Sequence, residues 1–77
     1  KKVVASDGAL KPITTGANLA IPGIVSLDEG IKKDEFVQIL TGRGELACFA
    51  KALMSTKEIL KQKHGLAFDV ERVIKPF

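Results

Sequence analysis

The sequence of 77 residues predicts one small α+β domain, in which a mostly antiparallel, closed or nearly closed β-barrel carries two short helices. Three observations support this fold class. The predicted elements run strand, short helix, several strands, helix and strand. A chain of this length has room for a single core. One cysteine and one histidine exclude a disulfide framework and a structural zinc site, so packing alone must hold the fold together.

The N-terminal part predicts a strand followed by a helix. The valine pair at positions 3–4 opens a short strand, and Asp7 is the predicted N-cap of a helix that runs through Ile13. Pro12 lacks an N–H group and falls late in this helix, so we expect only one or two irregular turns. Gly16 is the predicted end of the helix.

The middle of the chain predicts three strands, at residues 24–27, 36–40 and 45–53. The last of them is rich in alanine, as a closely packed central strand can be. Residues 42–44, Gly-Arg-Gly, have the glycine content of a tight hairpin between the second and third strands. This segment is too short for a dinucleotide-binding loop and does not precede a helix, so we interpret it as a turn.

The C-terminal third predicts a helix and a final strand. Ser55 and Glu58 have the S-x-x-E spacing of a capping box. Gly65, directly after His64, predicts the end of this helix. Residues 65–74 alternate between apolar and polar side chains, which predicts a strand. Its predicted apolar face holds Leu66, Phe68 and Val70.

Composition excludes several classes of function. The net charge of +3 permits a polyanionic partner without requiring one. Four Phe with no Trp or Tyr argue against a platform of stacked aromatic rings. No apolar run approaches the roughly 20 residues of a membrane span, so no membrane partner is expected. His64 is expected at a helix end or on the surface and Cys48 as a buried, inert thiol, so we predict no catalytic residue, cofactor or metal.

The segment from Thr15 to Ile24 brackets a short apolar stretch with Gly16 on one side and Pro22-Gly23 on the other. Glycines at such places let another backbone come close, and we expect them to leave N–H groups free for phosphates or base edges. An ordinary connection from a helix to a strand explains the same segment equally well.

Several segments in a fixed order resemble the PUA domain, an RNA-binding module. They are Gly16-Ala17-Asn18-Leu19, Pro22-Gly23-Ile24, Ile31-Lys32-Lys33-Asp34, Gly44-Glu45 and Lys51-Ala52-Leu53-Met54-Ser55. The match covers nearly the whole chain. Residues 52–56 and 65–73 look most like the C-terminal PUA domain of the guide-RNA-dependent pseudouridine synthases, dyskerin and its archaeal counterparts.

The resemblance implies a pseudo-barrel of about five or six strands that grips the lower stem and the 3′-terminal ACA of an H/ACA guide RNA. In those enzymes a separate catalytic domain isomerises the target uridine of rRNA or tRNA. The RNA-binding residues that the resemblance implies are Gly16, Ala17, Asn18, Leu19, Pro22 and Gly23. Positive charge and position add Lys11, Arg72 and Lys75 as candidate ligands of neighbouring phosphates.

The same resemblance predicts that residues 1–77 are one PUA domain and a fragment of a longer isomerase. Its partners would be the guide RNA, the catalytic domain of the parent chain and, through it, the other H/ACA proteins. The expected location is intracellular: the cytoplasm of an archaeon or the nucleus and nucleolus of a eukaryote. Two alternatives stay open. One is a PUA domain of a tRNA-modifying transglycosylase or translation factor that binds tRNA or rRNA, and the other is a protein-contact domain of a metabolic kinase.

Overall fold

The computed structural model describes residues 1–74 and contains one six-stranded sheet and two α-helices. In chain order the elements are β1 (Lys2–Ala5), α1 (Asp7–Thr14), β2 (Leu19–Ala20), a 3₁₀ turn (Ile21–Gly23), β3 (Ile24–Leu27), β4 (Phe36–Leu40), β5 (Leu46–Ala52), α2 (Thr56–Lys61) and β6 (Leu66–Val73). The predicted strands at 24–27 and 36–40 are confirmed at both ends, and the strand predicted at 45–53 is shorter by one residue at each end.

The strands pair in the order β2-β6-β5-β4-β1-β3. Every neighbouring pair is antiparallel except β1 with β4, which is parallel. The two edge strands, β2 and β3, are joined only by the 3₁₀ turn, so the edges of the sheet come together and the sheet curls into a nearly closed barrel. The predicted barrel with two short helices is therefore confirmed.

Small and branched apolar side chains fill the barrel. Phe68 is the largest side chain that is completely buried, and Ile13 of α1 and Leu19 of β2 pack into the same core. The alanines of β5 are also fully buried, as expected for a closely packed central strand. Cys48 is buried among them, as expected, and desolvation raises the pKa of its thiol to about 11.

The helices close opposite ends of the barrel. β1 and β4 are parallel and therefore both end at the same side, where α1 follows directly after β1 and buries Leu10 and Ile13. We call this side the α1 end. At the other side, the α2 end, α2 follows β5 and buries Ile59 in the core. Within residues 1–74, neither helix has the length and apolar character needed to cross a membrane.

The start of α1 differs from the sequence expectation. Ser6 has extended backbone angles (φ −70, ψ 157) and is the N-cap, so Asp7 lies in the first helical turn instead of capping it. Pro12 lies inside α1, which nevertheless continues to Thr14. A proline in the interior removes one backbone bond, and the carbonyl that loses its donor belongs to the exposed Gly8, where water can replace it.

The capping box of α2 is confirmed. The Ser55 hydroxyl accepts from the Glu58 N–H at 3.2 Å, and the Glu58 carboxylate accepts from the Ser55 N–H at 3.0 Å. The expected end of this helix at Gly65 is wrong. Because Gln62 already has extended backbone angles (φ −113, ψ 153), α2 ends at Lys61, and the exposed His64 lies beyond the helix.

The first residues of β6 are less regular than their alternation predicts. Phe68 lies opposite Leu19, but Leu66 lies opposite the adjacent Ala20, so Ala67 is an extra residue relative to β2. As a result Ala67 and Phe68 are both buried, whereas Leu66 is 50% exposed. The expectation that Leu66 shares the buried face of this strand is therefore wrong, because an inserted residue shifts the alternation by one position.

Candidate nucleic-acid interface

The loop that follows α1 is held by the carbonyl groups of that helix. Gly16 has φ +100, and its N–H donates to the Ile13 carbonyl at 3.1 Å. The Ala17 N–H donates to the Pro12 carbonyl at 3.0 Å, which also accepts from the Thr15 hydroxyl at 2.8 Å. These two backbone bonds form a Schellman motif, whose left-handed residue is usually glycine. The loop therefore leaves α1 in one fixed direction.

This geometry corrects one expectation about the loop. The N–H groups of Gly16 and Ala17 are bonded to α1 and are not available to a ligand. Asn18 is the residue with free polar groups: it is exposed, and neither its backbone N–H nor its side-chain amide has a hydrogen-bond partner within residues 1–74. An asparagine amide offers two donors and one acceptor, which suits the edge of an unpaired base.

β2 positions this loop beside β6. Because Leu19 lies opposite Phe68 in an antiparallel pair, residues 16–18 run alongside the part of β6 that follows Phe68. β2 is only two residues long, so from Asp69 onward this edge of β6 has no strand partner in the described part of the chain. The structure therefore brings residues 16–18, which we call the glycine loop, beside the last strand.

A second irregularity in β6 determines where Arg72 points. Val70 lies opposite Ala50, and Arg72 lies opposite the adjacent Phe49, so Glu71 is an extra residue relative to β5. Without it, Arg72 would share the inward direction of Val70. The bulge instead turns Arg72 outward, where it is exposed. Such bulges re-aim side chains at many functional sites.

The other predicted loop residues differ in their exposure. Pro22 is exposed on the 3₁₀ turn, whereas the Leu19 side chain is only 1% exposed and belongs to the core. Gly23 is a packing residue, since a Cβ atom there would lie 2.8 Å from the Ala9 Cβ and 3.0 Å from the Leu19 Cδ1. Its carbonyl also accepts from the Ser6 N–H at 2.8 Å. Leu19 and Gly23 therefore shape the loop from inside, and Lys75 lies outside the described residues.

A cleft of about 590 Å³ separates α1 from the turn between β4 and β5. Lys11 lies on its helical side and Arg43 on its turn side, and its other lining residues are Asp7, Leu10, Thr41, Gly42 and Glu45. The sequence alone indicates only a turn at residues 42–44 and does not single out Arg43. The available signal was an arginine between two glycines, a position at which the side chain extends from the tip of a hairpin.

Charge is distributed unevenly between the two ends of the barrel. At the α1 end, the basic residues Lys11, Arg43 and Arg72 are matched by Asp7, Glu45 and Glu71. Among residues 1–74 the basic excess lies at the α2 end, in Lys1, Lys2, Lys32, Lys33, Lys51, Lys57, Lys61 and Lys63, against Asp28, Glu29, Asp34, Glu35, Glu58 and Asp69, which lies opposite Lys51. The surface around the glycine loop is thus nearly neutral, and it can recognise a strand by hydrogen bonds and shape more than by charge.

In the stretch from Lys1 to Ile74, no three His, Cys, Asp or Glu side chains are arranged to hold a metal ion. The exposed groups of the loop and of the β6 edge are hydrogen-bonding groups and isolated charges, which fit a binding surface.

The sequence matches the family of the PUA domain over residues 1–74. The chain belongs to the PUA domain family. This PUA domain is similar to part of a probable tRNA pseudouridine synthase B from Pyrococcus abyssi, with 45% identity over 75 residues, 97% of this chain and 22% of that protein. The chain thus spans about a fifth of the length of the curated relatives it matches.

Two solved structures contain a closely similar domain. A chain of an H/ACA ribonucleoprotein bound to a substrate RNA that contains 2′-deoxyuridine has a TM-score of 0.95 and 44% identity, over 97% of this PUA domain and 24% of that chain. A chain of a Cbf5–Nop10–Gar1 complex has a TM-score of 0.93 and 44% identity, over 97% of this domain and 23% of that chain.

Proposed function

We propose that this chain is the RNA-binding PUA domain of an RNA-guided pseudouridine synthase and that it anchors the lower stem and the 3′-terminal ACA of an H/ACA guide RNA. The observation that carries this proposal is the fixed loop at residues 16–18, which presents Asn18 beside the unpaired edge of β6. The similarity to H/ACA proteins in their RNA-bound and protein-bound forms supports the choice of RNA.

The loop and the charged residues divide the recognition between them. Asparagine pairs with adenine through its amide, because adenine offers a donor and an acceptor side by side. Asn18 therefore reads an unpaired base, while Gly16 and Ala17 allow the strand to approach closely. Lys11 and Arg72 of the described surface, together with Lys75, contact the neighbouring phosphates. Bases in a single-stranded end expose the edges that such groups can bind.

The catalytic step belongs to the rest of the parent protein in this proposal. The chain anchors the guide RNA, and a separate domain isomerises the target uridine in rRNA or tRNA. Partners such as Nop10 and Gar1 join the complex through that parent chain. Since the similar synthases come from archaea, we place the complex in the archaeal cytoplasm.

The test is a titration of the 77-residue chain with a hairpin RNA that ends in single-stranded ACA, against the same hairpin ending in UGU, at two salt concentrations. We expect a clear preference for ACA. Three phosphate contacts to a single strand give a slope of log affinity against log salt of about −2. Equal, salt-sensitive binding of both hairpins would indicate a PUA domain whose ligand is tRNA or rRNA. Absence of binding at low salt would indicate a protein-contact domain.

A further inference from the structure

We propose that the cleft between α1 and the β4–β5 turn is a second RNA contact, in which Arg43 and Lys11 bind the ribose–phosphate backbone of the strand that leads into the trinucleotide. This inference rests on the proposed function and adds Arg43 to it. The cleft volume of about 590 Å³ lies within the range of roughly 300–1,000 Å³ that is usual for small-molecule sites, so a nucleotide unit fits.

The turn that carries Arg43 is held in place without using the guanidinium group. Thr41 is only 4% exposed, and its hydroxyl accepts from the N–H groups of Arg43 and Glu45, each at 3.2 Å. The Thr41 N–H donates to the Glu45 carbonyl at 2.8 Å, and the Gly44 N–H donates to the Thr41 carbonyl at 2.9 Å. The backbone of Arg43 is therefore fixed before any ligand arrives, which reduces the entropy lost on binding.

The two basic side chains of the cleft are available to a ligand. Neither Lys11 nor Arg43 takes part in an ion pair within the described range 1–74, where the ion pairs are Lys1 with Glu35 and Lys51 with Asp34. Arginine is the side chain best shaped to bind phosphate oxygens through two parallel hydrogen bonds. A strand that crosses the cleft therefore contacts the planar guanidinium group of Arg43 and the ammonium group of Lys11.

The Asp7 carboxylate of the cleft favours a ribose–phosphate chain over a simple anion. Asp7 lines the same cleft as the two cations, so a bare anion gains less net attraction there. An RNA backbone carries phosphate oxygens that accept hydrogen bonds and a 2′-hydroxyl that donates one. Asp7 can accept from this hydroxyl while Arg43 and Lys11 bind the phosphates, so the mixed charge of the lining matches RNA.

The position of the cleft connects it with the glycine loop. Lys11 lies one helical turn before Thr14, where α1 ends, and three residues of α-helix rise about 4.5 Å. Lys11 therefore lies close along the chain to the start of the glycine loop, and the cleft and the loop are both at the α1 end of the barrel. The comparable cleft at the α2 end, about 580 Å³ and lined by Lys32, Lys57 and Leu60 among others, lies at the opposite end from the loop.

The experiment compares Arg43→Gln with Lys57→Gln, a matched loss of one exposed charge at the α2 end, in titrations of the ACA hairpin over a range of salt. We expect Arg43→Gln to lower affinity about three- to tenfold at low salt and to reduce the salt slope by about 0.7–0.9, the share of one phosphate. We expect Lys57→Gln to change neither quantity. Wild-type affinity and slope in Arg43→Gln would overturn the proposal.

Two further measurements separate this proposal from the proposed function. Replacing the phosphates 5′ of the trinucleotide by neutral methylphosphonates, one at a time, should weaken binding of the wild-type chain at one position and leave Arg43→Gln unaffected there. If the replacement at every position weakens RNA binding by both proteins equally, Arg43 does not bind a phosphate.

The preference for ACA over UGU should persist in Arg43→Gln, because the glycine loop determines it. If Arg43→Gln loses this preference, Arg43 contacts a base and the assignment to a phosphate is wrong. If the wild-type chain itself shows no preference for ACA, only the proposed function is contradicted.

Discussion

The two ends of the barrel differ in the hydrogen bonds that hold the start of their helices. At the α2 end, the helix begins with a reciprocal capping box. The buried Thr56 hydroxyl also connects it to the loop between β3 and β4, because it donates to the Asp28 carbonyl at 2.8 Å and accepts from the Ile31 N–H at 3.1 Å. At the α1 end, Ser6 makes no side-chain cap, and the helix contains Pro12. The start of α2 is thus fixed by side-chain hydrogen bonds, whereas the start of α1 has no side-chain cap.

The basic residues, moreover, are not concentrated around the glycine loop. Most lysines surround α2, whereas the glycine loop lies in a balanced electrostatic environment. A mild basic excess is the ordinary surface of a small domain. The α1 end is distinguished by a fixed loop, an unpaired strand edge and polar groups without partners in residues 1–74, which are the features of a surface that reads a ligand by hydrogen bonds.

The largest expected effect on stability is at Thr56. Thr56→Val keeps the shape of the side chain but leaves the Ile31 N–H without its partner in a buried place, so we expect the free energy of unfolding to fall by about 2 kcal/mol. Thr15→Val is the control at the α1 end, where water can replace the exposed bond to the Pro12 carbonyl. Urea denaturation of both variants measures the difference, and equal losses would contradict the contrast between the ends.

The next effect is on RNA binding at the glycine loop. Gly16→Leu places a bulky side chain at φ +100, which strains the backbone, so Ala17→Leu is tested beside it because Ala17 has no positive φ. We expect both variants to lose at least about tenfold in affinity for the ACA hairpin, or about 1.4 kcal/mol, through steric exclusion of the strand. Circular dichroism verifies folding. Normal RNA binding by a folded Ala17→Leu variant would show that the glycine loop does not contact the RNA.

A smaller effect separates the two helix starts. Ser55→Ala removes an N-cap bond to the Glu58 N–H and should lower the free energy of unfolding by about 1 kcal/mol. Ser6→Ala removes a hydroxyl that makes no cap bond, so we expect a change within about 0.5 kcal/mol. Thermal unfolding of the two variants gives the comparison. A larger loss in Ser6→Ala would show that α1 depends on its cap after all.

The smallest effect is a pH dependence at the α2 end. Hydrogen bonds from Ser55 lower the pKa of Glu58, and hydrogen bonds from Lys1 and Lys32 lower the pKa of Glu35. A lowered pKa in the folded state stabilises the protein above the ordinary glutamate value of 4.5, and this contribution is lost as the pH falls below it. We expect the Tm to fall less steeply with acid in Glu58→Gln, which keeps the capping box, than in the wild-type chain. Identical acid profiles would contradict this assignment.

Much of the fold could be predicted from local sequence, because its signals depend on neighbouring residues. The capping box at Ser55 and the strands at 24–27 and 36–40 are of this kind. β2 has only two residues, too few to show a periodicity, and the two insertions in β6 exist only relative to its partner strands. Pairing across the barrel therefore determines which side chains of β6 face outward.

The candidate site shows the same limit. The order of segments was enough to predict the PUA family, and the glycine loop was found by that resemblance. Sequence could not show that the N–H groups of Gly16 and Ala17 are already bonded to α1, since this depends on the path of the chain after the helix. Nor could it show that Arg43 faces Lys11 across a cleft, because these residues meet only when the barrel closes.

The most direct test is to map the RNA contact by NMR on the isotope-labelled chain, titrated with the ACA hairpin. We predict that the largest chemical-shift changes of backbone amides occur at residues 16–18, 42–44 and 69–72, while the amide shifts of α2 and of residues 62–64 do not change. Shifts concentrated at the lysines of the α2 end, with residues 16–18 unchanged, would show that charge and not the glycine loop selects the RNA.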